Sequence, residues 1–401
     1  MNEPLSPTTC AVRAALESDT QYGAVVPPIH LTSTFSFQAF GEKRAYDYTR
    51  SGNPTRDALA EAIAELEGGA GAVVTASGMS AVHLVCQLLN ANDLLIAPHD
   101  CYGGTYRLFS NLAKRGVLRV EFVDQTDDRA FALALAQQPK LVWIETPSNP
   151  LLRIVDIRAV AEKAHAAGAL VLADNTFLSP VWQQPIALGA DLVLHSTTKY
   201  LNGHSDVVGG AVVSATPELH ERMVWWANCT GVTGAPFDSY LTLRGLRTLH
   251  ARMRVHGDNA AHVAHLLAGH PAVRQVYFPG LRSHPQHELA CRQQSGFGAM
   301  LSFELHGGVD AVRAFLDGLR CFSLAESLGG VESLVAHPAS MTHAAMDAEA
   351  RRVAGISDTL LRLSIGIEAA EDLIRDVHAG LERAAATLES EPAFALQCAR
   401  C

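Results

Sequence analysis

Through the first two thirds of the chain, short unbroken apolar runs alternate with stretches whose apolar residues recur every three or four positions. The runs are "GAVVTAS" (71–77), "DLLIAPHD" (93–100), "RVEFVD" (119–124), "KLVWIET" (140–146), "ALVLADN" (169–175) and "ADLVLHS" (190–196). Each has strand length. Apolarity without alternation is what a parallel sheet covered on both faces requires. Between them "GGTYRLFSNLAKRG" and "DIRAVAEKAHAAG" read as helices. Ahead of them "TRDALAEAIAELEGG" puts Leu59, Ile63 and Leu66 on one face, with Thr55 as its cap and Gly68 as its stop. This is an α/β layout with a doubly wound, mostly parallel sheet, whose ligands belong at the carboxyl ends of the strands.

After about residue 250 the pattern changes. A long helical stretch, "ARMRVHGDNAAHVAHLLAGH", leads into "VRQVYFP", "AMLSFEL", "LLRLSIG" and a final helix. The expected organisation is an arm rich in Pro, Ser and Thr over 1–56, an α/β domain over 57–256, a smaller α+β domain over 257–390 and a tail over 391–401. A chain of 401 residues is long enough for one large and one smaller core.

Composition then excludes several classes of partner. Hydrophobic residues make up 48% and charged residues 18%, the balance of a packed globular protein. The net charge of -10 comes without a basic stripe, which argues against nucleic acid. No apolar span is long enough to cross a bilayer, and the opening stretch lacks the apolar segment of a signal peptide. The expectation is a cytoplasmic protein without a membrane partner. Cysteines at 10, 86, 101, 229, 291, 321, 398 and 401 are scattered and read as free thiols. The terminal "CARC" has CxxC spacing but no second ligand pair, so no metal is expected there.

Candidate chemistry starts at "DLVLHSTTK", which opens as a buried strand and then delivers Ser196, Thr197, Thr198 and Lys199. An exposed loop is the ordinary explanation. Asp174, however, ends the preceding apolar run, and successive strand ends of one parallel sheet lie side by side. Asp174 and Lys199 can therefore face one pocket, either as a plain salt bridge or as a pyridoxal phosphate site. In the second case the lysine forms a Schiff base and the aspartate keeps the pyridine nitrogen protonated. The hydroxyls suit the phosphate: Ser196 and Thr198 alternate and point one way, and Ser77 with the amides of Gly78 and Met79 opens a helix. A lone Ser-Gly-Met is weak evidence, since such glycines often only permit a bend. It is no GxGxxG, which disfavours a dinucleotide. Tyr102, after another strand end, can stack on the ring or simply shape a turn.

Longer stretches carry a resemblance. They include "QYGAVVPPIHLTSTF", "YDYTRSGNPTRDALAEAIAELEGG", "APHDCYGGTYRLF", "ETPSNPLLRIVDI", "HSTTKYLNGHSDVVGG", "LAESLGGVESLVAHPASMTHA" and "GISDTLLRLSIGIE". Over roughly residues 20 to 385 the chain resembles the Cys/Met-metabolism family of pyridoxal-phosphate enzymes. The resemblance implies an aminotransferase-like fold (fold type I), with Lys199 as Schiff-base lysine and proton carrier and Asp174 as the pyridinium partner. It implies that Tyr102 stacks on the ring and that Ser77, Gly78, Met79, Ser196 and Thr198 bind phosphate. Tyr48 and Arg50 would reach the phosphate of a neighbouring subunit's cofactor, in a homotetramer built of dimers with shared sites. Arg362 would grip the α-carboxylate of an amino-acid substrate, helped by Asn149 and Ser327.

The same resemblance bears on the reaction. "LAESLGG" sets Glu326 just before Ser327, as in members that act at Cγ, whereas β-eliminating members resemble "SWGG" there. A carboxylate suits the distal ammonium of cysteine or cystathionine, although a surface glutamate would look the same. In "DCYGGTYR" a glycine stands where methionine-cleaving members carry a reactive cysteine. Arg107 can take the distal carboxylate of a succinyl group, but γ-eliminating members share it. The expected reaction is γ-replacement in transsulfuration and methionine biosynthesis: O-succinylhomoserine, or another O-acylhomoserine, plus cysteine gives cystathionine and the free acid. The alternative is γ-elimination, releasing cysteine, 2-oxobutyrate and ammonia from cystathionine. A remoter one is a catalytically idle amino-acid-binding or regulatory protein, which would not need a Schiff-base lysine.

Overall fold

A computed structural model describes residues 5–342, 351–352 and 354–390. All six of the predicted apolar runs form strands: β1 Gly71–Thr75, β2 Leu94–Pro98, β3 Arg119–Val123, β4 Leu141–Glu145, β5 Leu170–Asp174 and β6 Leu192–His195. Each stops a residue or more before its run does, because the polar residues at its end turn the chain. Thus Ser196 has already left the strand, and Thr197 and Thr198 lie in the turn that follows. A seventh strand, β7 Gly210–Ser214, is one the pattern did not predict. Its apolar stretch, Ala211 to Val213, is only three residues long and does not stand out. The order is β1-β7-β6-β5-β4-β2-β3, parallel throughout except that β7 runs antiparallel to both its neighbours.

Helices Gly78–Cys86, Gly103–Lys114 and Ile157–Ala166 fall where the periodicity places them. The helix Pro54–Glu67 does too, but Asn53 caps it instead of Thr55. The Asn53 side chain accepts from the amides of Thr55 and Arg56 at 2.9 and 3.4 Å. Pro54 at the first helical position loses only an amide that would be unpaired anyway. Thr55 instead accepts from the amide of His30 at 2.9 Å, which ties the preceding arm to the helix. Gly68 ends the helix at φ 72°, the left-handed conformation a glycine adopts freely.

The second sheet contains β8 Val273–Tyr277, β9 Met300–Leu305, β10 Phe322–Leu324, β11 Ser333–Ala336 and β12 Leu360–Ser364, in the order β10-β11-β12-β9-β8. Only β10 and β11 pair in parallel. One buried apolar cluster runs from Leu59, Ile63 and Val193 through Met253 on the helix Leu249–Ala268 to Phe303 and Leu361. The two sheets therefore share a core, and that sharing aims β12 at the carboxyl ends of β4 to β6. No helix among the described residues is long and apolar enough to cross a membrane. Cys398 and Cys401 of the "CARC" motif lie outside the described residues.

Candidate active site

The carboxyl ends of the parallel strands open onto a cavity of about 300 Å³. Twelve of the fifteen residues singled out from the sequence line it: Ser77, Gly78, Met79, Tyr102, Asn149, Asp174, Ser196, Thr198, Lys199, Glu326, Ser327 and Arg362. Tyr48, Arg50 and Arg107 do not. Arg107 points to solvent from the helix Gly103–Lys114. Tyr48 and Arg50 lie on the exposed arm, where Arg50 Nε donates to Asn228 Oδ1 at 3.0 Å and its guanidinium sits 5.4 Å from the Tyr48 ring centroid.

One end of the cavity is built for an anion. Ser77 caps the helix Gly78–Cys86, and the first amides of any helix have no partner within it. Gly78 keeps this corner open: a Cβ there would come within 2.9 Å of the Ser196 Cβ and 3.1 Å of its Oγ. Only a bare backbone lets the helix start and the Ser196 hydroxyl converge. Thr198 lines the same wall, but its hydroxyl donates to the Gly209 carbonyl at 3.2 Å and accepts from the Gly209 amide at 3.0 Å. Thr197 turns away from the cavity and is buried, in the turn that follows β6.

At the floor stand two carboxylates on adjacent strands. Asp174 ends β5 and pairs in register with Glu145, which ends β4. Asp174 accepts from the Thr176 amide at 3.0 Å, and Glu145 accepts from the Tyr102 amide at 2.9 Å. Burial raises the pKa of both. Glu145 goes well above the ordinary carboxyl range, with the charge of Asp174 adding to the effect of burial. At Asp174 the bonds from Thr176 and the nearby His195 oppose the rise. The arrangement favours a proton on Glu145 and a charge on Asp174. Glu145 was missed in the sequence, although an acid closing an apolar run is the same signal that singled out Asp174.

The walls carry the reactive groups. Lys199 Nζ donates to Ser327 Oγ at 2.9 Å. Burial first, and then the cation of Arg362, pull its pKa from 10.5 to about 8, while Glu326 opposes them. Neutral amine is thus present in quantity near neutral pH. Arg362, 3% exposed, comes from the middle of β12. Its Nη1 donates to Asn149 Oδ1 at 3.0 Å and its Nη2 to the Ser327 carbonyl at 2.9 Å. Its Nε is buried with no acceptor among the described residues. A buried guanidinium with a spare donor on a cavity wall is suited to a carboxylate. Tyr102 leaves its ring 44% exposed over the opening. Gly104 makes room for that ring, since a Cβ there would lie 2.6 Å from it.

These residues fit pyridoxal phosphate: an anion cup at one end, a carboxylate at the floor, an amine of lowered pKa between them and an aromatic ring at the mouth. Away from the cavity, His270, His378 and Glu382 gather metal-ligand atoms within 4.8 Å. There the Ala272 amide donates to His270 Nδ1 at 3.2 Å, which puts the ring proton on Nε2, facing Glu382 at 3.1 Å. That is a closed hydrogen bond, not an open ligand set.

Comparison with known proteins agrees with this chemistry. The family described as Cys/Met metabolism PLP-dependent enzyme matches residues 8–382. Cystathionine gamma-synthase of Escherichia coli is 60% identical over 377 residues, covering 94% of this chain and 98% of its own. Cystathionine gamma-lyase of Dictyostelium discoideum is 46% identical over 376 residues, covering 94% and 97%. Among solved structures, cystathionine gamma synthase from Xanthomonas oryzae pv. oryzae in complex with cystathionine aligns with a TM-score of 0.95 at 67% identity. It covers 96% of this chain and 100% of that one.

Proposed function

Because the chain belongs to the Cys/Met metabolism family of PLP-dependent enzymes, we propose that it is a pyridoxal-phosphate-dependent transferase performing γ-replacement. O-Succinylhomoserine, or another O-acylhomoserine, and cysteine become cystathionine and the free acid. One observation carries the reading: Lys199, Asp174 and Arg362 converge on a single cavity that ends in an anion cup. The high identity to cystathionine gamma-synthases selects this reaction within the family.

Bound pyridoxal phosphate supplies an electron sink that makes the substrate Cα–H bond acidic. The chain supplies the rest. Ser77, Ser196 and the amides of Gly78 and Met79 hold the phosphate, and Thr198 shapes the wall beside it. Asp174 holds the ring nitrogen protonated, and Tyr102 covers the ring. Arg362 takes the substrate α-carboxylate through its free Nε and its terminal nitrogens, with Asn149 fixing the plane of the guanidinium. Ser327 keeps Lys199 Nζ close to the place where Cα must lie. Neutral Lys199 takes the Cα proton. A second proton leaves Cβ, the acyl group leaves Cγ as a carboxylate, and the cysteine sulfur bonds to Cγ as its thiol proton is released to solvent. The protons then return to Cβ and Cα. Glu326 faces the distal ammonium of the incoming cysteine.

We assign Tyr48 and Arg50 to the cavity of a neighbouring subunit, in a homotetramer of dimers with shared sites. Their exposure on an arm away from their own cavity supports this, as does the need of a dianionic phosphate for a cation. Arg107 would act at the outer mouth, on a distal carboxylate. The cysteines Cys10, Cys86, Cys101, Cys229, Cys291 and Cys321 are free, which supports a reducing, cytoplasmic setting.

The deciding assay compares cystathionine formed from O-succinylhomoserine and cysteine with 2-oxobutyrate released from cystathionine. Faster formation is the expected result. Predominant 2-oxobutyrate release would reassign the chain to γ-elimination, which the gamma-lyase relatives make the next reading.

A further inference from the structure

The proposed reaction leaves one buried pair unused. His195 is the last residue of β6 and Glu67 the last of the helix Pro54–Glu67, and each is 1% exposed. His195 Nε2 lies 2.6 Å from Glu67 Oε1. The same oxygen accepts from Asn175 Nδ2 at 2.8 Å, so Glu67 ties together the residues that follow and end two neighbouring strands. Glu67 Oε2 is buried without a partner among the described residues. Among the described residues bonded to Glu67, His195 is the one that can carry a counter-charge.

The position of His195 matters more than its burial. In register Asp174 opposes Leu194 on β6, which puts His195 one step beyond it, at the carboxyl edge. On the other flank of Asp174 stands Glu145. Asp174 therefore has a second acid as its register partner on one flanking strand, and on the other an imidazole carried one residue beyond its register partner Leu194. On β7 the partner of His195 is Ala211, which brings no charge. His195 thus lies between Glu67, in contact, and the strand that carries Asp174.

We propose that Glu67 holds His195 as an imidazolium, and that this buried cation keeps Asp174 ionised against the competing carboxyl of Glu145. Both are positioning residues: neither lines the cavity, and they act on the pyridine nitrogen only through Asp174. The direction of the electrostatics agrees, since His195 lowers the pKa of Asp174 while Asp174 raises that of Glu145. The inference rests on the reading of Asp174 as the partner of the pyridine nitrogen.

The test uses the full-length holoenzyme labelled with 15N-histidine, with Glu67→Gln and His195→Gln as variants. In the wild type, the His195 resonance, assigned by sequential and through-space connectivities in the wild-type spectrum itself, should be that of an imidazolium at neutral pH. A neutral imidazole there would overturn the proposal even if neither variant folds. In both variants the Kd for pyridoxal phosphate, followed by protein fluorescence, should rise about tenfold or more, and the visible band should shift. A merely structural pair would lower the thermal midpoint and leave Kd and band unmoved, which would also overturn it. A wild-type chain that takes up no pyridoxal phosphate would instead overturn the cofactor reading, and with it the role at Asp174.

Discussion

Lys199 Nζ and Ser327 Oγ meet at 2.9 Å, joining the turn after β6 to the loop before β11 across 128 residues of sequence. The Ser327 carbonyl also receives Arg362. One short segment of the second sheet's domain thus holds both the Lys199 amine and the Arg362 guanidinium. The cavity exists only where the two sheets meet.

Lys199→Ala should fold, lose the visible absorbance of a covalently held cofactor, and lose at least about a thousandfold in rate, since nucleophile and proton carrier go together. A native spectrum with near-native rates would refute the assignment. The wild-type apo chain gives a finer check. Neutral amine attacks the aldehyde, so attachment of pyridoxal phosphate should speed up as pH rises through about 8. Arg362→Ala removes a nearby cation and should move that midpoint upward. Stability follows the same sign. Unfolded lysine binds its proton up to 10.5 and the folded one only to about 8, so this group's contribution to apo-chain stability should increase with pH between those values.

Gly78→Ala tests the anion cup. Its Cβ would meet Ser196 Cβ at 2.9 Å, and relieving that contact forces the helix start and the Ser196 wall apart. Overpacking of this kind costs about 1–3 kcal/mol. Equilibrium dialysis should show weaker binding of pyridoxal phosphate while circular dichroism stays native. Unchanged affinity would mean that the phosphate sits elsewhere.

The reactive set was legible because each member breaks a local rule. Asp174 closes one run that is otherwise core, Lys199 follows hydroxyls that break off another, and a Ser-Gly opens a helix just after a strand. Arg362 is different. Nothing in "LLRLSIG" says that its arginine is buried, and only the family resemblance singled it out. Glu145 obeys the same signal as Asp174, an acid closing an apolar run, but the run alone does not show which of two such acids a ligand meets. The Glu67–His195 pair was illegible for another reason: it joins a helix end to a strand end 128 residues away, and a sequence does not show which polar residues meet in the interior. β7 was hidden by its three-residue apolar stretch.

Tyr48 and Arg50 sit on the arm, outside their own cavity, and their assignment to a neighbour's site makes a mixing experiment decisive. Arg50→Ala should weaken pyridoxal phosphate binding by about 1.5–3 kcal/mol, the worth of a charged hydrogen bond. Arg50→Ala and Lys199→Ala subunits, each poorly active alone, should regain activity when co-assembled, because one kind of hybrid site carries both native residues. Full activity in a monomer fraction from size-exclusion chromatography would rule out shared sites.

Glu326 decides between chemical roles at the mouth of the cavity, where it is exposed yet close enough to influence both Lys199 and Arg362. If its carboxylate meets the distal ammonium of cysteine, Glu326→Ala should raise the KM for cysteine more than that for the O-acylhomoserine, which has no ammonium at its distal end. Exposure limits the size of the effect. A solvated ion pair is worth about 0.2–1 kcal/mol, which corresponds to a change of up to about fivefold. A tenfold or larger rise would mean that substrate binding buries the contact, since desolvation is what makes such a pair costly to break. Two other outcomes carry their own meaning. Unchanged kinetics with every substrate would make Glu326 a surface acid. Equal losses with both substrates would make it a support for the loop that carries Ser327, and the choice of a Cγ reaction would then rest on the relatives alone.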